Sequence, residues 1–260
     1  MLGFLHALPA PIRRMGKSVP RPLKDLVLAT VNFFWTIPYW GKGRYCPLCG
    51  RSSKEFAAFG LVLRADSQCV YCGSLERHRL VWLYLQRKTD LLDGLPKKVL
   101  HIAPEIAFMQ PLRRRFGKGY ITADLLEPWA MVKMDITDIQ FPDNTFDFIF
   151  CSHVLEHVPD DRRAMREFYR TLKPGGWSVL MVPILQEHTF EDPSIVNPSQ
   201  RLAVFGQSDH VRIYGRDFAD RLKEAGFEVR VTVATDFLSR QEIVTMACDN
   251  AGEIFHCIKN

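Results

Sequence analysis

Two pairs of cysteines near the start of the chain have the spacing of metal ligands. Cys46 and Cys49 form one CxxC pair, Cys69 and Cys72 form the second, and a glycine follows each pair. Two intervening residues let both sulfurs of a pair reach one ion, and the glycine permits a tight turn. Four thiolates complete a tetrahedron with no open coordination position. The spacing therefore predicts a structural zinc (Zn²⁺) ribbon, and four reduced thiols without a metal are the alternative.

Three predicted strands later in the chain end directly before an acidic or polar residue, namely Asp124, Asp135 and Ser152. In an open parallel sheet, ligands bind beyond the carboxyl ends of the strands. A carboxylate after the second strand can accept hydrogen bonds from both ribose hydroxyls of a nucleoside, and a side chain after the third strand can bind an adenine amino group. Either aspartate alone could be a turn residue, but their common register with the strands predicts a nucleoside site.

Two histidines are the candidates for catalytic proton transfer. His153 follows Ser152 at the end of the fourth predicted strand, and His210 lies in the segment DHVRIY. A general base is required only when the acceptor group carries a proton. We expect His153 to be the first candidate for that base and His210 the second. The alternative for His153 is a strand-end residue that caps backbone groups or contacts a cofactor without proton transfer.

The segment 184–215, which contains His210, shows little periodicity and is predicted to be a long loop. It also carries polar and aromatic residues that could bind a substrate, namely His188, Asp209, Arg212 and Tyr214. Long loops in compact domains often form lids or binding sites. These residue types suit a hydroxylated or anionic acceptor, small or glycan-like. A loop folded over the sheet for structural reasons is the alternative.

The elements that must position these residues alternate between strand and helix from residue 97 onward. The apolar runs predict seven strands: Val99–Ala103, Gly119–Ala123, Met131–Met134, Phe146–Cys151, Trp177–Pro183, Phe227–Ala234 and Glu253–Ile258. Predicted helices include Glu105–Phe116, in which Pro111 predicts a kink or break, and Arg216–Ala225. Such alternation predicts an α/β fold with a Rossmann-like, seven-strand, doubly wound sheet, preceded by the small zinc-ribbon module.

Residues 97–260 resemble a class I S-adenosylmethionine-dependent methyltransferase throughout. The resemblance rests on Asp124, on Asp135-Ile136, on the stretch FPDNTFDFIFCSHVLEHV from Phe141 to Val158, and on the turn LKPGG. It implies S-adenosyl-L-methionine as the cofactor and direct methyl transfer to an acceptor. It also implies that Asp124 binds the ribose and that Asp135 with Ile136 binds the adenine, while Ser152 lies at the rim of the same pocket.

The loop after the first predicted strand departs from the family pattern. The family's DxGxGxG motif reads His101-Ile102-Ala103-Pro104-Glu105-Ile106-Ala107 in this chain, so that all three glycines are replaced. Glycines let backbone N–H groups approach a ligand closely. We expect Ala103 to permit that approach still, and Glu105 to pair with the cofactor's α-ammonium group. The alternative is a catalytically degenerate binding module in which this turn closes the pocket.

The string His153-Val154-Leu155-Glu156-His157 also matches the HxxEH pattern of a zinc hydrolase. That chemistry requires both histidines on one face of a continuous helix. Here the first histidine directly follows a predicted strand, and Pro159 follows the second almost at once. The sequence therefore disfavours a metallohydrolase.

The chain divides into four predicted segments: a basic and apolar N-terminal arm (1–43), the zinc ribbon (44–73), a connecting helix with a linker (74–96), and the methyltransferase-like domain (97–260). Ser74 is predicted to cap the helix Leu75–Lys88. The cluster Glu76–Arg79 is predicted to be a solvated turn that leads into this helix, and an anion site is the alternative. The net charge of +5 arises from five basic residues within positions 1–24, and the remaining charges cancel. A nucleic-acid partner is therefore not indicated.

The aromatic stretch Leu26–Gly41 is too short for a membrane span and contains Pro38. Basic residues before such a stretch predict a peripheral membrane contact at residues 26–41, with packing of the arm on the domain as the alternative. Three further cysteines, Cys151, Cys248 and Cys257, lie singly in apolar runs and are expected to be core residues. With no disulfide framework indicated, we expect a reducing, cytoplasmic location.

Overall fold

The computed structural model describes residue 30, residues 33–60 and residues 62–260. These residues form two compact units. The front unit contains the described residues up to Lys88 together with 106–111 and 237–251, and the sheet unit contains 89–105, 112–236 and 252–260. The five basic residues within positions 1–24 lie outside the described residues. Residues 33–40, which are described, include exposed Phe33, Phe34 and Trp40, and their contact with a membrane stays a prediction.

The front unit is built from short antiparallel strand pairs and helices. Strand β1 (Arg44–Cys46) pairs with β2 (Arg51–Ser53), and β3 (Ala57–Phe59) pairs with β4 (Arg64–Gln68). The unit also contains the 3-10 helix Ile37–Tyr39 and the α-helices Glu76–Arg87 and Arg240–Met246. Its small apolar cluster is centred on Cys46, Phe56 and Cys69. A cluster of this size supplies little hydrophobic stabilisation to the strands around the cysteines, and segments this small usually require a metal or disulfides.

Arg79 is fully buried in the front unit and is bound by main-chain carbonyl groups. Its guanidinium group donates to the carbonyl oxygens of Ser67 and Ser74 at 2.9 and 2.8 Å. It also donates to those of Met246 and Ala247 at 2.5 and 2.9 Å. These hydrogen bonds join the second cysteine pair to the segment 237–251, which is distant in the sequence but belongs to the same unit.

The prediction of a solvated turn at Glu76–Arg79 is therefore wrong. His78 is 6% exposed, and its Nδ1 accepts a hydrogen bond from the Leu75 backbone N–H at 3.1 Å. Its ring also packs edge-on against Phe108. Short basic segments are usually solvated, but here the charge is buried because main-chain carbonyls of the same unit satisfy it.

The sheet unit contains a seven-strand sheet. Its strands are β5 (Val99–Ile102), β6 (Tyr120–Asp124), β7 (Val132–Lys133), β8 (Phe146–Ser152), β9 (Leu172–Met181), β13 (Glu228–Thr232) and β14 (Ile254–Ile258). Their order in the sheet is β13-β14-β9-β8-β5-β6-β7. Strand β14 runs antiparallel to β13 and to β9, and the other pairs in this sheet are parallel. The α-helices Asp161–Thr171, Pro198–Phe205 and Phe218–Glu224 lie in this unit, and helix Ile106–Phe116 follows β5. The predicted α/β fold with a Rossmann-like seven-strand sheet is confirmed.

The central strands form because their residues are apolar on both faces. All four residues of β5 are buried, and β8 has only Asp147 partly exposed. Near-continuous burial is typical of parallel strands that are covered on both sides. The helix Asp161–Thr171 buries Ala164, Met165 and Phe168, which have the i, i+1, i+4 spacing of one helix face. This packing holds the carboxyl ends of β5, β6 and β8 in fixed positions.

Three local predictions need correction. Pro111 lies inside the continuous helix Ile106–Phe116 and does not end it. Strand β9 begins at Leu172 rather than Trp177, and a side chain at Gly176 would meet the Phe146 carbonyl oxygen at 3.1 Å, so that glycine is required by the close approach. The segment 184–215 is an ordered subdomain, with strands β10 (Ile184–Gln186), β11 (Phe190–Glu191) and β12 (Arg212–Gly215) in one small sheet.

We expect His256 to make the sheet unit sensitive to acid. Its ring is 9% exposed and stacks on Trp177 with the centroids 4.7 Å apart. Burial, and next the positive charge of Arg230, lower the pKa of His256 to about 4, against smaller opposing effects of Asp90 and Glu228. An unfolded histidine titrates near pH 6.5. The unfolded state therefore binds the proton first, and stability should fall by about 3 kcal/mol as the pH falls from about 6.5 to 4.

Urea unfolding of the wild type and of His256→Phe at pH 7 and at pH 4.5 measures this effect. The variant should lose less stability than the wild type between the two pH values, because it carries no imidazole at this position. Equal losses in the two proteins would contradict the assignment.

No helix in the described part of the chain is both long and apolar enough to cross a membrane.

Candidate functional site

The four cysteines predicted to bind zinc come together in the front unit. Their sulfur atoms lie close enough to share one ion, with 3.6 Å between Cys46 Sγ and Cys72 Sγ and 3.8 Å between Cys49 Sγ and Cys69 Sγ. Four sulfurs at the usual Zn–S distance of about 2.3 Å stand about 3.8 Å apart in a tetrahedron. A disulfide would require about 2.05 Å. The donor set and its spacing therefore fit a closed, structural zinc site, which stays a proposal.

The backbone forms this cluster through two matching turns. Gly50 N–H donates to the Cys46 carbonyl and Gly73 N–H donates to the Cys69 carbonyl, both at 2.8 Å. Both glycines have positive φ angles, 70° and 73°, which residues with a side chain adopt less readily. The Ser74 hydroxyl lies 3.1 Å from Cys46 Sγ and 3.3 Å from Cys72 Sγ. The prediction that Ser74 caps the following helix is wrong, because its side chain faces the sulfurs instead.

In the sheet unit, the loop after β5 is supported by a buried histidine. His101, at the position of the family's acidic residue, is fully buried, and its Nδ1 lies 2.8 Å from the Tyr120 hydroxyl. Its Nε2 accepts a hydrogen bond from the Glu105 backbone N–H at 3.4 Å. Ala103 has a φ angle of 45° and donates its N–H to the Ala123 carbonyl. The loop therefore contains a residue with a left-handed backbone conformation, which glycine usually adopts, although this residue is an alanine.

The two predicted nucleoside-binding aspartates follow neighbouring strands, as expected. Asp124 Oδ1 accepts the backbone N–H groups of Leu126 and Glu127 at 2.7 and 2.8 Å. Asp135 Oδ1 accepts the backbone N–H and the hydroxyl of Thr137, both at 2.8 Å. Each aspartate is therefore a turn residue, as the alternative interpretation proposed. In each, one carboxylate oxygen is fixed by the turn, and the carboxylate is held in one orientation at the end of its strand.

Ser152, Glu105 and His153 meet where β8 ends. The Ser152 hydroxyl donates to Glu105 Oε1 at 3.3 Å. His153 adopts a φ angle of 54°, which is rare for a residue with a side chain. Its backbone N–H donates to the Met181 carbonyl, and its Nδ1 lies 3.3 Å from Glu156 Oε1. Strained residues of this kind concentrate at functional sites.

Ile136, the second residue of the predicted adenine-binding pair, is 6% exposed.

The segment 153–157 contains only the 3-10 helix Leu155–His157 and no α-helix turn. The geometry of an HxxEH zinc hydrolase, which needs both histidines on one α-helix face, is therefore not formed. Instead, His157 packs against His210, with the ring centroids 4.6 Å apart. Burial, followed by the charge of His157, lowers the pKa of His210. His210 is thus held in its neutral form, and it lies beside His157 and Glu156 rather than in a flexible loop.

Two further residues of DHVRIY, Arg212 and Tyr214, have buried contacts with the segment after β8. Arg212 is 3% exposed and donates to the main-chain carbonyls of Leu155, Val158 and Pro159 at 2.5–2.8 Å. The sequence placed Arg212 and Tyr214 among the substrate-binding residues, because Arg and Tyr are common in such sites. Their burial shows a structural role instead. The carbonyl groups that bind Arg212 are far from it in the sequence, so no local signal could have revealed them.

Beneath the same turn lies a buried network of charges. Asp161 is 3% exposed and accepts a hydrogen bond from the Tyr214 hydroxyl at 2.6 Å and from Arg221 at 3.1 Å. Glu191 accepts hydrogen bonds from Arg221 at 3.0 Å and from Arg212 at 2.9 Å. The two arginines lower the pKa of Glu191 against the opposing effect of burial. The network keeps Glu191 ionised and fixes β11 and β12 to the segment after β8.

Comparison with known proteins shows which protein family this chain resembles. Residues 102–180 match the family model of a methyltransferase domain, which confirms the predicted resemblance for that segment. The chain is 31% identical over 112 residues to a demethylmenaquinone methyltransferase of Geobacillus sp., covering 43% of the chain and 44% of the relative. It is 35% identical over 99 residues to phosphoethanolamine N-methyltransferase 3 of Arabidopsis thaliana, covering 36% of the chain and 18% of the relative.

The matched segments thus span less than half the length of these relatives. Among solved structures, an S-adenosylmethionine-dependent methyltransferase of Mesorhizobium loti aligns with 70% of this chain and 98% of its own, at 15% identity and a TM-score of 0.46.

Proposed function

We propose that this chain, in which residues 102–180 match the family model of a methyltransferase domain, is an S-adenosylmethionine-dependent methyltransferase that transfers the methyl group of its cofactor directly to an acceptor. The acceptor is a small or glycan-like molecule with a hydroxylated or anionic group. The front unit carries a structural zinc ion at its four cysteines and takes no part in the transfer. The acceptor and a cytoplasmic location of the protein are parts of this proposal.

The observation that carries the proposal is the placement of four polar strand ends on one edge of one sheet. Strands β8, β5, β6 and β7 are consecutive and parallel in the sheet. Ser152 and Asp124 are the last residues of β8 and β6, and Glu105 and Asp135 follow β5 and β7 within three residues. Ligands of open parallel sheets bind at this edge. These residues fit a nucleoside that also carries an ammonium group, because three of the four side chains are carboxylates.

Each of these residues has a defined part in binding. Asp124 would accept hydrogen bonds from the ribose hydroxyls, since the turn orients its carboxylate. Asp135, with Ile136, would bind the adenine ring. Glu105 would pair with the α-ammonium group, and the Ser152 hydroxyl, which already donates to Glu105, would hold that carboxylate in place. The backbone at Ala103 lies between β5 and Glu105, where a close approach to the ligand is expected.

S-adenosylmethionine supplies a methyl group already activated on a sulfonium. The protein therefore needs mainly to align the acceptor with that methyl group and to exclude water, which can contribute about 7–11 kcal/mol. A general base is needed only for a protonated acceptor. His153 is the candidate, since it lies at the end of β8 with its side chain about one-third exposed and its Nδ1 beside Glu156. His210 is buried and is the weaker candidate.

Asp124→Ala should abolish measurable S-adenosylmethionine binding in calorimetric titration. Hydrogen bonds to a charged group contribute about 1.5–3 kcal/mol each, so that the loss of two should weaken binding by at least about 100-fold. Asp124→Asn keeps an oxygen acceptor for the Leu126 and Glu127 N–H groups, which separates ribose binding from turn stability. We expect this variant to bind at least about tenfold more weakly while melting at the wild-type temperature.

Asp138→Asn is the matched control, because Asp138 is an exposed aspartate on the loop after β7 and should bind the cofactor like the wild type. Wild-type affinity in both Asp124 variants would overturn the assignment of this residue.

A catalytically degenerate binding module is the second candidate. The glycine-free loop with Ala103 in a left-handed conformation favours it, because a methyl group there takes space that a glycine leaves open. The two candidates are distinguished by the same titration. No heat with a folded, zinc-loaded wild type would favour the binding module.

A further inference from the structure

We propose that Glu156, His157 and His210 form a second metal site, distinct from the four cysteines, that binds a divalent transition-metal ion and leaves coordination positions open for an oxygen-bearing ligand. The potential ligand atoms of these three residues all lie within 4.8 Å of one another. Binding of the ion does not depend on the proposed methyl transfer. Only the further step, that the open positions hold the oxygen of the acceptor, rests on that function.

The backbone brings the three residues together without a metal. Glu156 and His157 lie on the 3-10 helix Leu155–His157 after β8, and His210 directly precedes Val211 at the entry to β12. The Val211 backbone N–H donates to the Glu156 carbonyl at 2.9 Å. The Arg212 guanidinium group also donates hydrogen bonds to three main-chain carbonyl groups of the same turn. The site is therefore preorganised by contacts that do not involve the ligand atoms themselves.

Two buried polar atoms at this place have no hydrogen-bond partner within the described residues, Glu156 Oε2 and His210 Nε2. The side chain of Glu156 is 2% exposed and the residue His210 is 7% exposed. Leaving a buried polar group without a partner is costly, and more so when the group is charged. A cation between a carboxylate oxygen and an imidazole nitrogen would satisfy both atoms at once.

The surroundings of the two histidines favour metal binding through Nε2. An Asp209 carboxylate oxygen lies 3.2 Å from His157 Nδ1. With Nδ1 of His157 beside this carboxylate, the lone pair of that ring remains on Nε2. The Nε2 atom of His210 has no hydrogen-bond partner within the described residues. Metal-binding histidines almost always have such a carboxylate or carbonyl partner on the other nitrogen.

Two imidazoles and one carboxylate suit Zn²⁺ and the other divalent transition metals rather than Mg²⁺ or Ca²⁺. Three protein ligands leave at least one position for water or substrate, as in catalytic sites and unlike the closed site of four cysteines. The site lies beside His153, through the contact between His153 and Glu156. An acceptor hydroxyl bound at the open position would be more acidic and would face the end of β8.

Cobalt titration of the full-length protein, loaded with one equivalent of zinc so that only the four-cysteine site is filled, tests this site. The thiolates hold their zinc, so Co²⁺ should occupy the second site, with one equivalent bound by elemental analysis. Its visible spectrum should show ligand-field bands without the intense sulfur-to-cobalt charge transfer of a thiolate site. Glu156→Gln and His210→Gln should each abolish the cobalt uptake and leave the zinc content unchanged. His188→Gln, an exposed histidine between β10 and β11, is the control and should bind like the wild type.

Asp209→Asn provides a test that does not depend on the ligands themselves. The exposed Asp209 side chain orients His157, so its replacement should weaken cobalt binding by about 10–100-fold at unchanged stoichiometry. No cobalt uptake by the zinc-loaded wild type, or full uptake by both ligand variants, would overturn the proposal. The titration contains no cofactor or acceptor, so this result is independent of the outcome of the S-adenosylmethionine titration.

Discussion

Removal of zinc should unfold the front unit and leave the seven-strand sheet folded. The cysteines lie in a cluster of three buried residues, two of which are Cys46 and Cys69, and structural zinc sites contribute about 10–16 kcal/mol to folding. Segment 237–251 should unfold with the ribbon, because Arg79 binds the carbonyls of Met246 and Ala247 within the same unit. Hydrogen exchange after treatment with a strong chelator should show lost protection in 44–87 and 237–251, and retained protection in β5, β8 and β9.

Cys46→Ser should reproduce the effect of the chelator, since one thiolate fewer leaves the tetrahedron incomplete. Cys257→Ser is the matched control, because Cys257 is equally buried but lies on β14 of the sheet unit and is not one of the four clustered cysteines. This variant should keep protection in both front-unit segments. Retained protection of 44–87 in metal-free protein would show that zinc is not needed for the front unit. Loss of protection throughout the sheet would show that the two units unfold together.

Replacement of Asp161 by alanine should lower the free energy of unfolding of the sheet unit by about 3–5 kcal/mol, the usual cost of removing one partner of a buried ion pair. Arg212 and Arg221 would remain buried with Glu191 as the remaining carboxylate of the network. The Tyr214 hydroxyl would also lose its 2.6 Å acceptor. Urea unfolding monitored by circular dichroism measures this loss.

The neighbouring Asp160 offers a control on the same helix. Its exposed carboxylate caps the helix by accepting the Arg163 backbone N–H at 2.9 Å. Loss of such a cap costs about 1 kcal/mol. Asp160→Ala should therefore destabilise the sheet unit far less than Asp161→Ala. Equal effects of the two substitutions would mean that the buried network contributes little.

Much of the sheet could be predicted because its strands are locally encoded. Runs such as Val99–Ile102 and Phe146–Cys151 are apolar throughout, which is typical of strands covered on both faces. The ends of these strands follow from the same pattern, and therefore so do the positions of Asp124, Asp135 and Ser152. The cysteine pairs could also be predicted, because ligand spacing and the following glycines are properties of short segments. The strands of segment 184–215 could not be predicted, because they are two to four residues long and pair only with each other.

The sequence by itself determined the kinds of chemistry available to this protein: four thiols for a metal, carboxylates at the ends of parallel strands, and histidines near them. The tertiary structure alone decided which of those side chains are accessible and which are buried among partners. Arg79, Arg212 and Tyr214 look like binding residues in the sequence, but carbonyls and carboxylates distant along the chain surround them. Glu156, His157 and His210 become a group only because the entry to β12 pairs with the turn after β8. Burial and partnership depend on contacts between distant segments, and these are not encoded in any one of them.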